Sequence, residues 1–310
     1  MQAPRPKIAV LLAAYNGMLW IDEQLESIQT QIGVYPHVFI SVDASTDGTD
    51  VWCEAYAEKY PNVTVLPPKE ACGGAARNFF HLIRNVDFTS FDFVALADQD
   101  DRWHADKLER AASLLSGTTA SAYSSNVTAF WPDGRRQLLH KAQNQVRWDH
   151  YFEAAGPGCT YVLKRHFAEH LQHKVREDWI TLQDITLHDW YIYALARSHG
   201  YEWHIDKTPG LDYRQHHHNQ VGANIGASAL VSRYRTIRNG WWFGQVKLIQ
   251  RLVDNDRDVS ARPSWRSLRR IDFLRLGLQA KHCRRRRKDQ FLFGILCVFT
   301  AVVGASAKCR

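Results

Sequence analysis

Asp98, Asp100 and Asp101, grouped around Gln99, follow the apolar run 91–97 without a break. A short apolar run that stops on carboxylates reads as a buried strand delivering acids to the rim of a sheet. Acids this close repel one another unless a cation sits between them. With no cluster of cysteine or histidine beside them, their hard oxygens suit Mg²⁺ or Mn²⁺, ions that commonly arrive bound to phosphates. The alternative for these residues alone is a solvated acidic turn.

The elements that would position the acids follow from hydrophobic spacing. Strand-like runs recur at 8–14, 37–42, 63–66 and 91–97. Between the first two, Ile21, Leu25 and Ile28 stand at helical spacing. Residues 47–60, 74–86 and 105–115 give further helices, and 121–130 a further strand. Strands alternating with helices predict an α/β fold with a doubly wound, mostly parallel sheet, in which ligands sit beyond the carboxyl ends of the strands. Tyr15, Asn16, Asp43 and the acids at 98–101 all fall at such ends.

Composition narrows the class. The chain has 310 residues, 45% hydrophobic and 23% charged, which is the balance of a folded protein with a real core. Six cysteines without a CxxC pair argue against a zinc site or disulfide framework and fit a reducing compartment. The net charge of +7 is unevenly placed: residues 257–310 hold 14 Lys and Arg against 3 Asp and Glu, whereas 1–256 hold 25 against 29. The body is mildly acidic, so no nucleic-acid partner is expected. Lys7 before the apolar run 8–14 invites a signal-peptide reading, but Tyr15-Asn16-Gly17 follows at once and favours a first strand.

Taken together, Ala14-Tyr15-Asn16-Gly17, Ser41-Val42-Asp43-Ala44-Ser45-Thr46-Asp47-Gly48 and Asp98-Gln99-Asp100-Asp101-Arg102-Trp103 resemble the inverting glycosyltransferases of family 2, with the GT-A fold. Gly158-Cys159-Thr160, His188-Asp189-Trp190 and Tyr213-Arg214-Gln215-His216 resemble the branch containing bacterial polysaccharide rhamnosyltransferases. The resemblance covers about residues 6–225. It departs from the family at Val42, where two adjacent acids are common, and at Ala44, where glycine is common.

The resemblance implies a nucleoside diphosphate sugar donor, most plausibly dTDP-L-rhamnose, with a UDP-hexose or UDP-N-acetylhexosamine as the second choice. Ala14, Tyr15, Asn16 and Asp43 would receive the nucleotide, with Tyr15 against the base and Asp43 accepting its imide N–H. Arg77 and Asn78 would lie near the donor sugar or diphosphate. Asp98 would serve the ribose, Asp100 and Asp101 the metal, and Arg214 and His216 would close over the diphosphate. Gly158, Cys159, Thr160, His188 and Trp190 would line the acceptor or donor-sugar pocket, and Asp189 would be the general base. Each has a structural alternative: Asp43 as a turn residue, Asp189 as a helix cap, Arg77 as a solvated loop residue. His217 and His218 extend the histidine run, but neighbours on one strand point to opposite faces, so zinc is not expected. A nucleotidyltransferase would need a basic phosphate loop near the first strand, and 14–17 offers none. A non-catalytic sugar-nucleotide-binding protein is the remaining alternative.

The expected organisation is a transferase domain at 1–225, with a nucleotide half at about 1–103 and an acceptor half at about 104–225, then a helical basic tail at 226–310. Within the tail, Arg284–Lys288 precedes 291–307, which carry no charge and fall at the short limit of a membrane span. This pairing suits an anionic bilayer surface and predicts a peripheral enzyme on the inner face of the cytoplasmic membrane, beside a glycan or lipid-linked acceptor.

Overall fold

The computed structural model describes residues 4–67, 72–216, 240–254, 265 and 269–303. His217 and His218, the 225/226 boundary and residues 304–307 of the expected membrane segment lie outside them.

The first half alternates as expected: β1 (Lys7–Ala14), α1 (Ile21–Gln29), β2 (Tyr35–Val42), α2 (Thr49–Lys59), β3 (Val63–Val65), α3 (Ala75–Asn85) and β4 (Phe93–Ala97). Then come β5 (Arg102–Trp103), α4 (Lys107–Ser116), β6 (Ala122–Ser125), β7 (Val127–Phe130), β8 (Arg136–Leu139), β9 (Val162–Lys164), α5 (Arg165–Glu177), α6 (Trp179–Leu182), α7 (His188–Ser198), β10 (Trp203–Asp206) and β11 (Leu211–Arg214). The C-terminal part contributes α8 (Trp241–Val253), α9 (Arg270–Leu278), α10 (Ala280–Cys283) and α11 (Arg287–Val303).

Seven strands form the main sheet in the order β10-β6-β9-β4-β1-β2-β3, parallel except for β9, which runs against both β4 and β6. β1 shows why the sheet is central. Ile8, Val10, Leu12 and Ala14 enter one apolar cluster, while Ala9, Leu11 and Ala13 enter the other. A strand alternating with period two between two buried faces must be apolar, and β1 is from Ile8 to Ala14, with only Lys7 at its exposed start. Its register sets Ala14 beside Val42 and Leu12 beside Ala97, so the loops after β1, β2 and β4 leave the sheet at one rim.

The expected single strand at 121–130 is divided at Asn126. β6 stays in the main sheet, whereas β7 joins a four-stranded sheet ordered β5-β11-β7-β8. Asn126 is buried and fixes the crossover: its Nδ2 donates to Lys207 O, and its Oδ1 accepts from the Lys141 and Ala142 amides. β5 pairs antiparallel with β11, which carries Arg214 back towards the acids that precede β5.

The helices after residue 240 share the core with α7. Phe243, Phe273, Phe293 and Cys297 belong to the same buried cluster as Trp190 and Tyr193. α9 and α11 cross where Gly277 and Gly294 face each other; an added Cβ at either would lie 3.4 or 3.5 Å from the other's carbonyl oxygen. The Arg284–Lys288 run is not uniformly a surface charge. Arg285 is buried, donating from Nη2 to Ala154 O at 2.6 Å and lying 3.8 Å from Asp149 and 3.6 Å from Glu153. Arg284 donates to Phe152 O. Only Arg287 and Lys288 of this run are fully exposed.

Removing one member of a buried ion group leaves the others uncompensated. Arg285→Met is expected to lower unfolding stability by about 3 kcal/mol, read as a lower urea midpoint at unchanged slope.

Candidate active site

Three loops meet at the rim, and hydrogen bonds between them set their shape. Gln99 acts as an extra rung between β1 and β4: its Oε1 accepts from Tyr15 N and its Nε2 donates to Tyr15 O, both at 2.7 Å. A Cβ at Gly17 would stand 2.5 Å from that Oε1, so a larger residue there would displace the Gln99 amide from Tyr15. Asn16 takes the left-handed conformation, φ 46°, with its amide donating to Ser45 Oγ and its Oδ1 accepting from Thr46 N. The Tyr15 side chain is left 56% exposed at the mouth.

Asp43 is buried, and its carboxylate gathers three backbone amides: Ala44 at 2.9 Å and Cys72 at 2.6 Å on Oδ1, Gly73 at 3.0 Å on Oδ2. A carboxylate offers about four acceptor sites, so Oδ2 keeps capacity for one more donor. Asn78 also turns inward. Its Nδ2 donates to Ser41 O and Ala14 O, tying the ends of β1 and β2. Arg77 bridges Gln183 O and Cys72 O. These two side chains brace the rim, a use that the sequence did not announce.

The acids divide by depth. Asp100 faces His216, whose Nε2 lies 2.7 Å from its Oδ2 and whose ring stacks on Trp20 at 4.1 Å. Arg214 donates through Nε to Asp100 O at 2.8 Å, its backbone amide reaches Asp101 Oδ1 at 3.2 Å, and its guanidinium pairs with Glu23. It grips the acidic loop directly. Asp101 is fully buried, its Oδ2 without a hydrogen-bond partner among the described residues, and one ligand atom each from Asp98, Asp101 and Cys159 lies within 4.8 Å of the others.

Burial first, then the Asp100 and Asp189 charges, push the Asp98 carboxyl up to about 7. Burial with Asp100 and Asp98 holds Asp101 well above the usual carboxylate range. Beneath them lies Lys107, 1% exposed, with Nζ 3.4 Å from the Trp103 ring centroid and no hydrogen-bond partner among the described residues. Burial brings its ammonium down to about 7 against the pull of Cys159 and Asp101. The sequence reading missed this buried cation. Its signal was periodicity, since Lys107 shares the inward face of α4 with Leu108, Ala111 and Leu115.

Asp189 stands in the first turn of α7, partly buried, its Oδ1 accepting from Trp190 N at 2.8 Å. It therefore satisfies a first-turn amide of α7 and lies near enough to the acids for its charge to act on Asp98. Burial pushes its carboxyl up to about 6, and Trp190 N and Lys141 pull it down. Gly158 makes the close approach possible: a Cβ there would meet His188 Nε2 at 2.4 Å and Asp189 Cβ at 3.4 Å. His188 stacks on Phe79 at 4.1 Å, and burial lowers it to about 3, so it stays neutral. Thr160 donates to Pro157 O and Trp190 Nε1 to His150 O; both side chains are fully engaged in the floor.

Residues 9–171 match the family described as Glycosyl transferase family 2. The chain is 44% identical over 250 residues to the dTDP-rhamnosyl transferase RfbG of Shigella flexneri, covering 80% of this chain and 86% of that protein. Among solved structures, S. aureus TarS in complex with UDP-GlcNAc superposes with a TM-score of 0.56 at 13% identity, over 97% of this chain and 93% of that one. The Pyrobaculum calidifontis mannosyltransferase PcManGT, in complex with GDP-Man and Mn²⁺, gives 0.50 at 17% identity, over 96% and 88%. The expected GT-A architecture is thus the observed one.

A raised carboxyl pKa has a sign for stability. The Asp189 carboxyl holds its proton more tightly in the folded chain than at its ordinary value of 3.8, so stability falls as pH climbs from about 4 through about 6 and stays lowered above. Asp189→Asn should therefore be more stable than the wild type at pH 7.5 by about 1–3 kcal/mol. The gap should close at pH 4, as checked by urea titrations at both pH values.

Proposed function

The chain belongs to glycosyl transferase family 2, and on that premise we propose that it moves L-rhamnose from dTDP-L-rhamnose to a glycan acceptor with inversion at the anomeric carbon. The donor is supported by the similarity to RfbG. The reaction is supported by one observation above the rest: the Asp189 carboxyl, pushed up to about 6, borders the acids of the loop after β4. A base poised near working pH is ionised, yet still holds a proton well enough to remove one from a hydroxyl. Asp189 is the proposed base, taking the acceptor hydroxyl proton as that oxygen attacks.

Tyr15 offers an open ring to the base of the nucleotide, and the free capacity of Asp43 Oδ2 suits the imide N–H of thymine. Asp98 would serve the ribose. The residues present fit a divalent cation: Asp101 Oδ2 is a buried oxygen with no hydrogen-bond partner among the described residues, and Asp100 is flanked by the His216 imidazole. Asp100 and Asp101 would hold Mg²⁺ or Mn²⁺, with Asp98 and His216 adjoining. Such an ion, when bound, stabilises the charge that develops on the departing diphosphate. Arg214 keeps the acidic loop in shape through Asp100 O and Asp101 Oδ1. Residues 1–225 are proposed as the transferase domain.

The proposed site of action is the inner face of the cytoplasmic membrane. No helix among the described residues is long and apolar enough to cross a bilayer. Phe291, Ile295, Val298, Phe299 and Val302 nonetheless form an exposed stripe on α11, beside exposed Arg287 and Lys288. An apolar stripe with flanking cations suits the surface of an anionic bilayer.

With dTDP-L-rhamnose, UDP-glucose and UDP-GlcNAc offered in turn with Mn²⁺, tightest binding is expected for the dTDP sugar, and EDTA should weaken it. A preference for a UDP sugar would replace the donor and leave the fold standing. Asp189→Asn should keep donor binding and lose about 10³-fold or more in turnover. Wild-type kcat/KM should fall about tenfold per pH unit below about 6. For the membrane, Phe291→Asp with Ile295→Asp should abolish co-sedimentation with phosphatidylglycerol vesicles; unchanged sedimentation would rule out α11 as the contact.

A further inference from the structure

The acidic loop 98–101 is held by one continuous stretch of chain, the turn after β1 and the helix α1. Gln99 ties the start of the loop to Tyr15. Its end is tied twice to α1, where Glu23 pairs with Arg102 and Ser27 Oγ accepts from Trp103 N at 3.1 Å. The entry to α1 also reaches residues 214–216. Glu23 pairs with the Arg214 guanidinium, and the Trp20 ring stacks on His216 at 4.1 Å with 17° between the planes.

Periodicity explains why these two pairs match. Trp20 caps α1 and Glu23 lies in its first turn, three residues on, so both share one face of the helix. The chain leaving β11 stays extended past Arg214, since Gln215 N donates to Phe130 O at 2.9 Å. Residues two apart on an extended chain point the same way, which sets Arg214 and His216 side by side. Each of the two also meets Asp100: Arg214 Nε donates to its carbonyl at 2.8 Å, and His216 Nε2 lies 2.7 Å from its Oδ2. Glu23 and Trp20 therefore act on the acids through another side chain. Arg102 and Arg214 both lie over the Phe130 ring, at 5.1 and 4.7 Å, with Glu23 serving both guanidiniums.

The Glu23 side chain is 40% exposed, and ion pairs this open add little to unfolding stability. The pairing instead removes freedom from a long arginine side chain, as the stack does from the histidine ring. Order already present in the free protein is not lost again when a ligand binds. We propose that Trp20 and Glu23 are positioning residues of the transfer site: through His216 and Arg214 they fix the acidic loop, and so set the affinity for a metal-bound nucleoside diphosphate. The inference rests on Asp100 and Asp101 holding the metal, and it deepens that reading by assigning the side chains that hold those acids in place. Because α1 follows the turn that carries Tyr15, one segment orients both the ring offered to the base and the acids offered to the diphosphate.

The test is calorimetric titration of dTDP into the full-length protein, once with Mn²⁺ and once with EDTA. Mn²⁺ should tighten binding to the wild type. Trp20→Ala and Glu23→Ala should each weaken the Mn²⁺ titration about tenfold and leave the EDTA titration within about twofold. Trp20→Phe, which keeps a ring to stack, should stay close to the wild type, and Glu23→Ala should hardly move the urea midpoint. Equal weakening with Mn²⁺ and with EDTA would overturn the proposal, by making both residues general supports of the nucleotide site. Unchanged Mn²⁺ titrations would overturn it as well, and a loss in one variant alone would remove the other residue from it. Hydrogen exchange of the ligand-free protein supplies a readout without metal: peptides spanning 98–103 and 211–216 should exchange faster in both alanine variants, and unchanged protection would show that neither residue holds the loop. A wild type that gains nothing from Mn²⁺ would sink the metal assignment and with it the effect on affinity, leaving the exchange result to decide whether Trp20 and Glu23 hold the acids.

Discussion

Negative charge concentrated where the sheet ends is the constraint around which this molecule is arranged. Asp98, Asp100, Asp101 and Asp189 meet in a partly dry space, and burial is the first cause raising three of them. Ionised carboxylates cannot be kept together there without compensation. The chain compensates from every side. His216 faces Asp100, Arg214 spans Asp100 and Asp101, the Cys159 thiol lies among Asp98 and Asp101, and Lys107 supplies a buried cation below. None of these groups is close in sequence to all the acids it serves. Strand pairings deliver two of them: β11 on β5 brings Arg214, and β9 between β4 and β6 brings Cys159.

Precision at the rim comes from neutral groups. Gln99 extends the β1–β4 pairing past the last strand residue, Asn78 ties the carbonyls ending β1 and β2, and Asp43 draws the chain at 72–73 onto β2. Each satisfies backbone groups that the end of a sheet leaves unpaired. Asp43 shows how bracing and recognition coexist, since three amides hold the carboxylate still while one acceptor position stays open. Asp189 is the parallel case, accepting a first-turn amide of α7 through one oxygen while its charge reaches Asp98.

The sheet, the order of its first strands and the acids at their ends were legible because they are local: β1 and β4 are unbroken apolar runs, and Asp98 follows directly on one of them. What was not legible depends on partners distant in sequence. Asn78 and Arg77 are expected near the donor, and polar residues after a glycine pair do not disclose that they also bind the carbonyls of Ala14, Ser41 and Gln183. The break at Asn126 was hidden because residues 121–130 carry a continuous strand pattern. Only the crossover to a second sheet, fixed by Lys141, Ala142 and Lys207, divides it. The basic run at 284–288 read as one surface charge, since composition cannot distinguish Arg285 beside Asp149 from Lys288 in solvent.

That run carries the last step of the argument. Five consecutive cations fill three different environments. Arg284 and Arg285 turn into the body against Phe152, Ala154 and Glu153, Arg286 is partly exposed in the turn, and Arg287 and Lys288 open the helix whose apolar stripe faces outward. A turn between α10 and α11 points successive side chains in different directions, so one short segment can serve all three. Because Arg285 is fixed by buried partners, the other two environments are fixed relative to Asp189. On the proposed reading the donor would meet the site at the loops of Tyr15 and Asp43, and Asp98, Asp100, Asp101 and Asp189 are where the reacting groups would come together.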